Sequence, residues 1–188
     1  MDKDFEKLNR LIQSAKEFFA CPECKELAAR AKWYAADFQR RYEDEITRMP
    51  TDDTERILYT LEIVERLADM VFNGTGEDRS NAFYDMEDFL NDYLQWAFSD
   101  YMDACGLGES LPLCTDDDMG QPADVLEQRL HGLAEELRRY LPDGGNVFRQ
   151  RSAVTVMWQL LDLERAIRYW YCCPPEDFPN LYVIKDKP

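Results

Sequence analysis

Hydrophobic residues recur every three or four positions along most of the chain, which is the spacing that gathers them on one face of an α-helix. Proline, glycine and capping residues interrupt the pattern, for example Pro50 ahead of Thr51 and Gly106 behind Cys105. Six helices are predicted, at about 4–19, 22–49, 53–73, 81–105, 122–141 and 147–172. The chain is therefore expected to be an all-α bundle.

The last predicted helix is apolar on nearly all of its sides. Val154 and Met157 project to one side, whereas Leu160 and Leu163 project to the other. Because such a helix is usually covered by neighbours, we expect it to be central in the bundle. The proline-rich residues that follow should form a short irregular tail, in which 181–184 is a short strand or a segment lying in a groove.

The 188 residues, of which 45% are hydrophobic, are enough to bury a large core, so 1–188 is predicted to be a single helical domain. Within it, 1–50 is a charge-neutral helical hairpin, 51–120 a strongly acidic helical pair and loop, and 121–188 a helical pair with the tail. The charged amino terminus argues against a signal peptide, and the longest apolar run, 153–163, is too short to cross a bilayer. We therefore expect a soluble, cytoplasmic protein that makes no membrane contact.

The net charge of −16 is concentrated in the middle of the chain. Residues 51–120 contain 18 acidic and 3 basic residues, whereas the segments on either side are nearly balanced. Crowded like charges repel one another and lower stability. The concentration therefore favours a functional acidic surface, and a solvated face that only keeps the protein in solution is the alternative.

Carboxylates of this acidic region fall on one face of each of two predicted helices. If the two helices pack as neighbours, the carboxylates form a lattice whose spacing is comparable with the phosphate spacing of DNA. Tyr84 and Trp96 lie at the borders of the acidic stripe and are candidate hydrophobic anchors. The predicted partner-binding residues are Glu55, Glu62, Glu65, Asp69, Tyr84, Asp85, Asp88, Asp92, Trp96 and Asp103.

The cysteines and the single histidine are candidates for chemistry. Cys21 and Cys24 have the spacing of a zinc knuckle. Two further ligands would have to come from the other cysteines, Cys105, Cys114, Cys172 and Cys173. Reduced thiols, mostly buried, without a disulfide or a metal are favoured instead. His131 is interpreted as structural, because no set of catalytic partners accompanies it.

Arg165 and Arg168 stand out in the apolar last helix, because a buried guanidinium group needs a partner. Internal ion pairs with Asp162, Glu164 or a carboxylate of another helix are the favoured interpretation. A ligand-binding role for the two arginines is the alternative.

The sequence contains no catalytic motif and no basic patch, so we expect neither an enzyme, nor a cofactor, nor direct binding to nucleic acid. The favoured function is an acidic protein that binds and inhibits a basic, nucleic-acid-binding partner. Such a protein would act as a DNA-mimicking antirestriction or anti-CRISPR inhibitor, or as the immunity protein of a nuclease. A structural or homo-oligomeric helical module with an aromatic contact face is the alternative, and an enzyme with a pocket around Arg165 and Arg168 ranks last.

Overall fold

The structure is a computed structural model that describes residues 2–107, 116–142 and 145–172. These residues are almost entirely helical and none of them forms a strand, which confirms the all-α prediction. They make seven helices when the continuous run from Gly76 to Ala104 is counted once. The predicted tail, with 181–184, lies outside the described residues.

The described residues form two compact units, within 1–48 and within 49–188. The helices of the first unit are α1 Asp2–Ala20, α2 Pro22–Arg41 and α3 Glu43–Thr47. Cys21 caps α2, because its sulfur accepts a hydrogen bond from the Cys24 N–H at 3.4 Å. The helix predicted over 22–49 is interrupted at Tyr42, where φ is −114° and ψ is 21°.

Only a small part of the first unit is buried. Phe38 and Tyr42 pack against each other with ring centroids 4.9 Å apart. Several large apolar side chains of α1 and α2 are exposed, namely Leu11, Ile12, Phe18, Phe19, Leu27 and Trp33. The apolar face predicted for the first helix is therefore exposed from Leu11 onward.

The second unit begins with α4 Asp53–Asn73, whose ends follow the predicted caps. The Asp52 carboxylate accepts a hydrogen bond from the Glu55 N–H at 3.0 Å. At the other end a Cβ atom on Gly74 would lie 2.2 Å from the Met70 carbonyl oxygen, so glycine is required there.

The last helix of the second unit begins at the predicted residue and continues to the end of the described residues. The elements that follow α4 are α5 Gly76–Asp88, a π-helical segment Phe89–Leu94, α6 Gln95–Ala104, a 3₁₀ turn Asp116–Asp118, α7 Ala123–Tyr140 and α8 Val147–Cys172. α5 begins five residues earlier than predicted, since it starts directly after the Gly74 turn. α6 ends at Ala104, and Gly106 closes it as predicted, with φ at +65° and the Leu107 N–H donating to the Met102 carbonyl at 3.0 Å.

α4 lies against α5, the π segment, α6 and α7. Its buried face contains all of the residues that periodicity predicts, Ile57, Leu61, Val64, Ala68 and Val71. α8 packs against α7 and α6, so the central position predicted for α8 is shared with α4. None of the described helices combines the length and apolarity that spanning a membrane requires.

α5, the π segment and α6 form one uninterrupted rod, because the backbone stays helical at Asp88 and Leu94. A π turn uses about one residue more than an α turn, since its hydrogen bonds join residues five apart. One extra residue offsets all later positions by about 100° from a uniform α-helical projection. α5 and α6 therefore bury different arcs of that projection: Ala82 is buried and Asp100, five uniform α turns later, is exposed.

Candidate protein-binding face

Trp96 projects into solvent from the first turn of α6, with 68% of its surface exposed. Asp92 lies one turn before it, Asp100 one turn after it and Asp103 two turns after it on the same side of the rod. We call these four residues the Trp96 face. An exposed indole gains nothing from the hydrophobic effect until another surface covers it.

A pocket of about 170 Å³ lies between α6 and α8 next to the Trp96 face. Its lining is mostly apolar and consists of Gln95, Phe98, Ser99, Met102, Met157, Trp158 and Leu161. Gln95 and Ser99 also border the Trp96 face on α6. The pocket is smaller than the roughly 300–1,000 Å³ of small-molecule sites, and its size suits one side chain of a partner.

The charge of the Trp96 face comes mainly from two of its three carboxylates. Asp100 is compensated by Arg56 of α4, whose Nη2 lies 2.6 Å from Asp100 Oδ2. Within the described part of the chain, no basic side chain pairs with Asp92 or Asp103. Burial and the nearby charges of Asp92 and Asp88 raise the pKa of Tyr93, so its phenol stays neutral.

Two of the predicted acids on α4 are engaged by α7. The Glu65 carboxylate accepts hydrogen bonds from both Nη atoms of Arg138, and its Oε1 lies 3.1 Å from His131 Nδ1. Asp69 Oδ1 lies 3.2 Å from His131 Nε2. α4 does pack against α5 and α6, as the lattice hypothesis requires, but Glu65 and Asp69 face α7 instead of continuing the Trp96 face.

Asp85 was assigned to the acidic surface by its spacing, and this prediction is wrong because only 1% of Asp85 is exposed. A uniform projection at 100° per residue puts Asp85 beside Asp92 and Asp103. The π segment contains Asp92 and precedes Asp103, so its wider turn shifts both residues away from the arc of Asp85. Asp85 therefore belongs to the interior of the second unit.

The other predicted residues do not converge on one spot. Glu55 and Glu62 are exposed on α4, and Asp88 is half-buried at the end of α5. Tyr84 is half exposed, but it precedes Trp96 by twelve residues, which is about 18 Å along the rod. Among the predicted residues, the structure thus groups Asp92, Trp96 and Asp103.

His131, predicted to be structural, lies between carboxylates of two helices. Burial of the ring opposes its charged form. The hydrogen bond to Glu65 and the charges of Asp69 and Glu65 outweigh this effect and raise the pKa of His131. Asp69, Glu127 and His131 bring their ligand atoms within 4.8 Å of one another.

The cysteines of the described residues are not deeply buried, contrary to the prediction. Cys21, Cys24 and Cys105 are half-buried and Cys172 is exposed. The hydrogen bond to Cys21, with burial and the charge of Cys21 adding to it, raises the pKa of the Cys24 thiol. In the described residues, no group of three metal-ligating side chains includes Cys21 or Cys24. Cys114 and Cys173 lie outside the described residues.

The ion pairs predicted for the arginines of the last helix are confirmed, although both side chains are largely exposed. Arg165 Nη1 lies 3.9 Å from Asp162 Oδ1. Arg168 Nε lies 2.5 Å from Glu87 Oε1, and its Nη2 lies 2.9 Å from Glu164 Oε1. Arg168 therefore joins α8 to α5.

Comparisons with known proteins identify no relative of this chain. The sequence matches no protein-family model, and neither a curated protein nor a solved structure is significantly similar to it.

Proposed function

We propose that the chain is a non-enzymatic acidic protein that uses the Trp96 face to bind and inhibit a basic, nucleic-acid-binding protein. The observation that carries the proposal is the exposure of Trp96 at the centre of a carboxylate-bearing helix face. Tryptophan is enriched among the residues that dominate binding energy, and such residues work best when weaker polar contacts surround them.

Asp92 and Asp103 determine which charge the surface of the partner must have. Negative potential around the ring accelerates encounter with a cationic surface and repels an acidic one. Surfaces that hold DNA or RNA are the common strongly cationic surfaces of proteins. A protein that covers such a surface excludes the nucleic acid, which is how an antirestriction or anti-CRISPR inhibitor or a nuclease immunity protein would act.

The pocket between α6 and α8 adds specificity to this attraction. A lysine or arginine of the partner can lay its aliphatic stem along Phe98 and Met102 while its charged head stays near Asp103. Arginine can also stack on the Trp96 ring. The proposed interface thus combines charge with apolar contact.

Capture from host lysate tests the proposal with variants of equal charge. The test pair is Asp92→Asn with Asp103→Asn, and the control pair is Glu77→Gln with Asp78→Asn, two exposed acids in the first turn of α5. We expect the native chain and the control to retain a basic nucleic-acid-binding protein that high salt releases. The test pair should lose it.

The captured protein, once purified, should be displaced from the chain by a DNA or RNA duplex. Trp96→Ala should weaken the affinity about thirty-fold, which corresponds to about 2 kcal/mol. Equal loss by the two charge-matched pairs would mean that net charge alone is responsible, and retention by all variants would refute the Trp96 face as the binding surface.

A structural or oligomeric role is the second candidate, because α1 and α2 expose a row of large apolar side chains. In that case light scattering should show that the chain forms an assembly. The double variant Phe18→Asp, Phe19→Asp should be a monomer. The Asp92→Asn, Asp103→Asn pair should leave the assembly intact. A monomer at all concentrations would exclude this role.

A further inference from the structure

The single histidine of the chain is placed between two helices that each supply two potential metal ligands. α4 contributes Glu65 and Asp69, and α7 contributes Glu127 and His131. In each pair the residues are four positions apart, which sets them one above the other on one helix face. α4 and α7 are in contact, and this contact brings the ligand atoms of Asp69, Glu127 and His131 together, with Glu65 at the other nitrogen of the imidazole ring.

Both nitrogens of the imidazole ring face carboxylate oxygens. Nδ1 lies 3.1 Å from Glu65 Oε1, and Nε2 lies 3.2 Å from Asp69 Oδ1. A neutral imidazole carries a proton on one nitrogen only, so one of these contacts would set a lone pair against a carboxylate. The arrangement therefore favours positive charge at a ring nitrogen, which a second proton or a bound cation supplies.

We propose that Asp69, Glu127 and His131 bind a divalent transition-metal ion of the zinc class, with Glu65 as the residue that orients the histidine. The ligand atoms of the three residues lie within 4.8 Å of one another. Zinc bonds of about 2.0–2.1 Å in a tetrahedral arrangement separate neighbouring ligand atoms by about 3.4 Å. The Nε2 to Oδ1 distance of 3.2 Å is close to this value, and a ligand oxygen of Glu127 lies within 4.8 Å of both atoms.

The surroundings of the three ligands resemble those of metal sites generally. A metal-binding histidine usually donates its other N–H to a carboxylate that is itself held in place. Glu65 occupies this position at Nδ1 and is held by Arg138. Glu127 accepts a hydrogen bond from Asn73 Nδ2 at 2.8 Å, which orients the second ligand.

The donor set favours zinc over the harder cations. Imidazole nitrogen suits zinc, copper, iron and nickel, whereas magnesium and calcium prefer oxygen ligands alone. Three protein ligands leave one tetrahedral position for water. Because the ligands come from α4 and α7, the ion would tie these two helices together. This site is separate from the Trp96 face and does not depend on the proposed function.

Zinc titration of the full chain after chelator treatment tests the site. Cysteines also bind zinc, so the comparison is made in the Cys21→Ser, Cys24→Ser variant, with and without His131→Gln. The variant that retains His131 should bind one equivalent of zinc and melt at a higher temperature in its presence. His131→Gln should weaken binding more than ten-fold and abolish the thermal shift.

Two further variants distinguish a ligand set from general charge. Glu65→Gln should weaken zinc binding about ten- to hundred-fold, as expected for a residue that orients a ligand. Glu55→Gln, an exposed acid of α4 that precedes Asp69 by fourteen residues, or about 21 Å along the helix, should leave zinc binding unchanged. Cobalt bound in place of zinc should show the intense visible absorption of a tetrahedral complex.

Zinc binding that is unchanged by His131→Gln would overturn the proposal, as would a loss of all zinc binding with Cys21 and Cys24. If His131→Gln alters folding, shown by a lower melting temperature without metal, Asp69→Asn provides the second comparison. Asp69 is exposed, so its change to asparagine is expected to preserve the fold. Undiminished binding by a folded Asp69→Asn variant would equally refute the site.

Discussion

Asp85 and Asp103 are separated by eighteen residues, five full turns of a uniform α-helix, yet Asp85 is buried and Asp103 is exposed. The π segment Phe89–Leu94 between them holds one residue more than an α-helix would. This single extra residue decides which carboxylates of the rod reach solvent.

Deletion of Asn91, an exposed residue inside the π segment, should therefore be tolerated. Without it the segment can become α-helical, while the buried arcs of α5 and α6 keep their positions. We expect an unchanged helical circular dichroism spectrum and a free energy of unfolding that is equal or higher. Deletion of Ser99 within α6 is the control. It should rotate the buried residues that follow Ser99 by about 100° and unfold the protein. Equal damage by both deletions would contradict this explanation.

Asp100→Asn should lower the free energy of unfolding by no more than about 1 kcal/mol, because its ion pair with Arg56 is partly exposed. Asp103→Asn, one turn later, is the matched control and should have no comparable effect. Urea denaturation measures both variants, and high salt should remove the difference between them. A difference that persists in high salt would point to a cause other than the ion pair.

Thr60→Val should stabilise the protein by about 1 kcal/mol. Thr60 is fully buried in α4, and its hydroxyl has no hydrogen-bond partner in the part of the chain that the structure describes. Thr155→Val is the control, since Thr155 is exposed and its hydroxyl donates to the Arg151 carbonyl at 3.0 Å. Thermal or urea unfolding measures the free energy of unfolding of both variants. Destabilisation by Thr60→Val would show that the hydroxyl is satisfied after all.

Glu87 should make the stability of the protein fall as the pH rises. Burial, with the charge of Glu164 adding to it and that of Arg168 opposing it, raises the pKa of Glu87 above its usual 4.5. The folded state therefore holds the proton more tightly than the unfolded state. The resulting stabilisation is complete below pH 4.5 and is lost as the pH rises through the raised pKa.

Glu87→Gln removes this titration. The free energy of unfolding of the native chain, minus that of Glu87→Gln, should decrease across the same pH range. Asp92→Asn is the control, because Asp92 is exposed and contacts neither Glu164 nor Arg168. A flat difference for Glu87→Gln would mean that Arg168 fully compensates the burial.

The sequence alone predicts the features of the fold that depend on residues close to one another in the chain. The caps at Asp52 and Gly106, the start of α8 and the buried face of α4 all follow from spacing and from residue types that begin or end helices. Such features require no knowledge of which helices meet.

The remaining features depend on contacts between distant parts of the chain. His131 meets Glu65 across 66 positions, so the side of α4 that faces α7 had no local signature. The four-residue spacing of Glu127 and His131 was visible, but without Asp69 it indicated only a helix face. The π segment was hidden because the step from Leu90 to Leu94 also fits an α-helix.

The π segment also bears on how relatives of this protein are to be recognised. One residue added inside a helix can leave the packing of the rest intact, so a relative without the π segment would be one residue shorter between Phe89 and Leu94. A correct alignment of the two must open a gap in the middle of a helix, where gaps are ordinarily forbidden. If the gap were placed in a loop instead, Trp96 would be aligned with a residue of the neighbouring arc, and the Trp96 face would not be recognised in the relative.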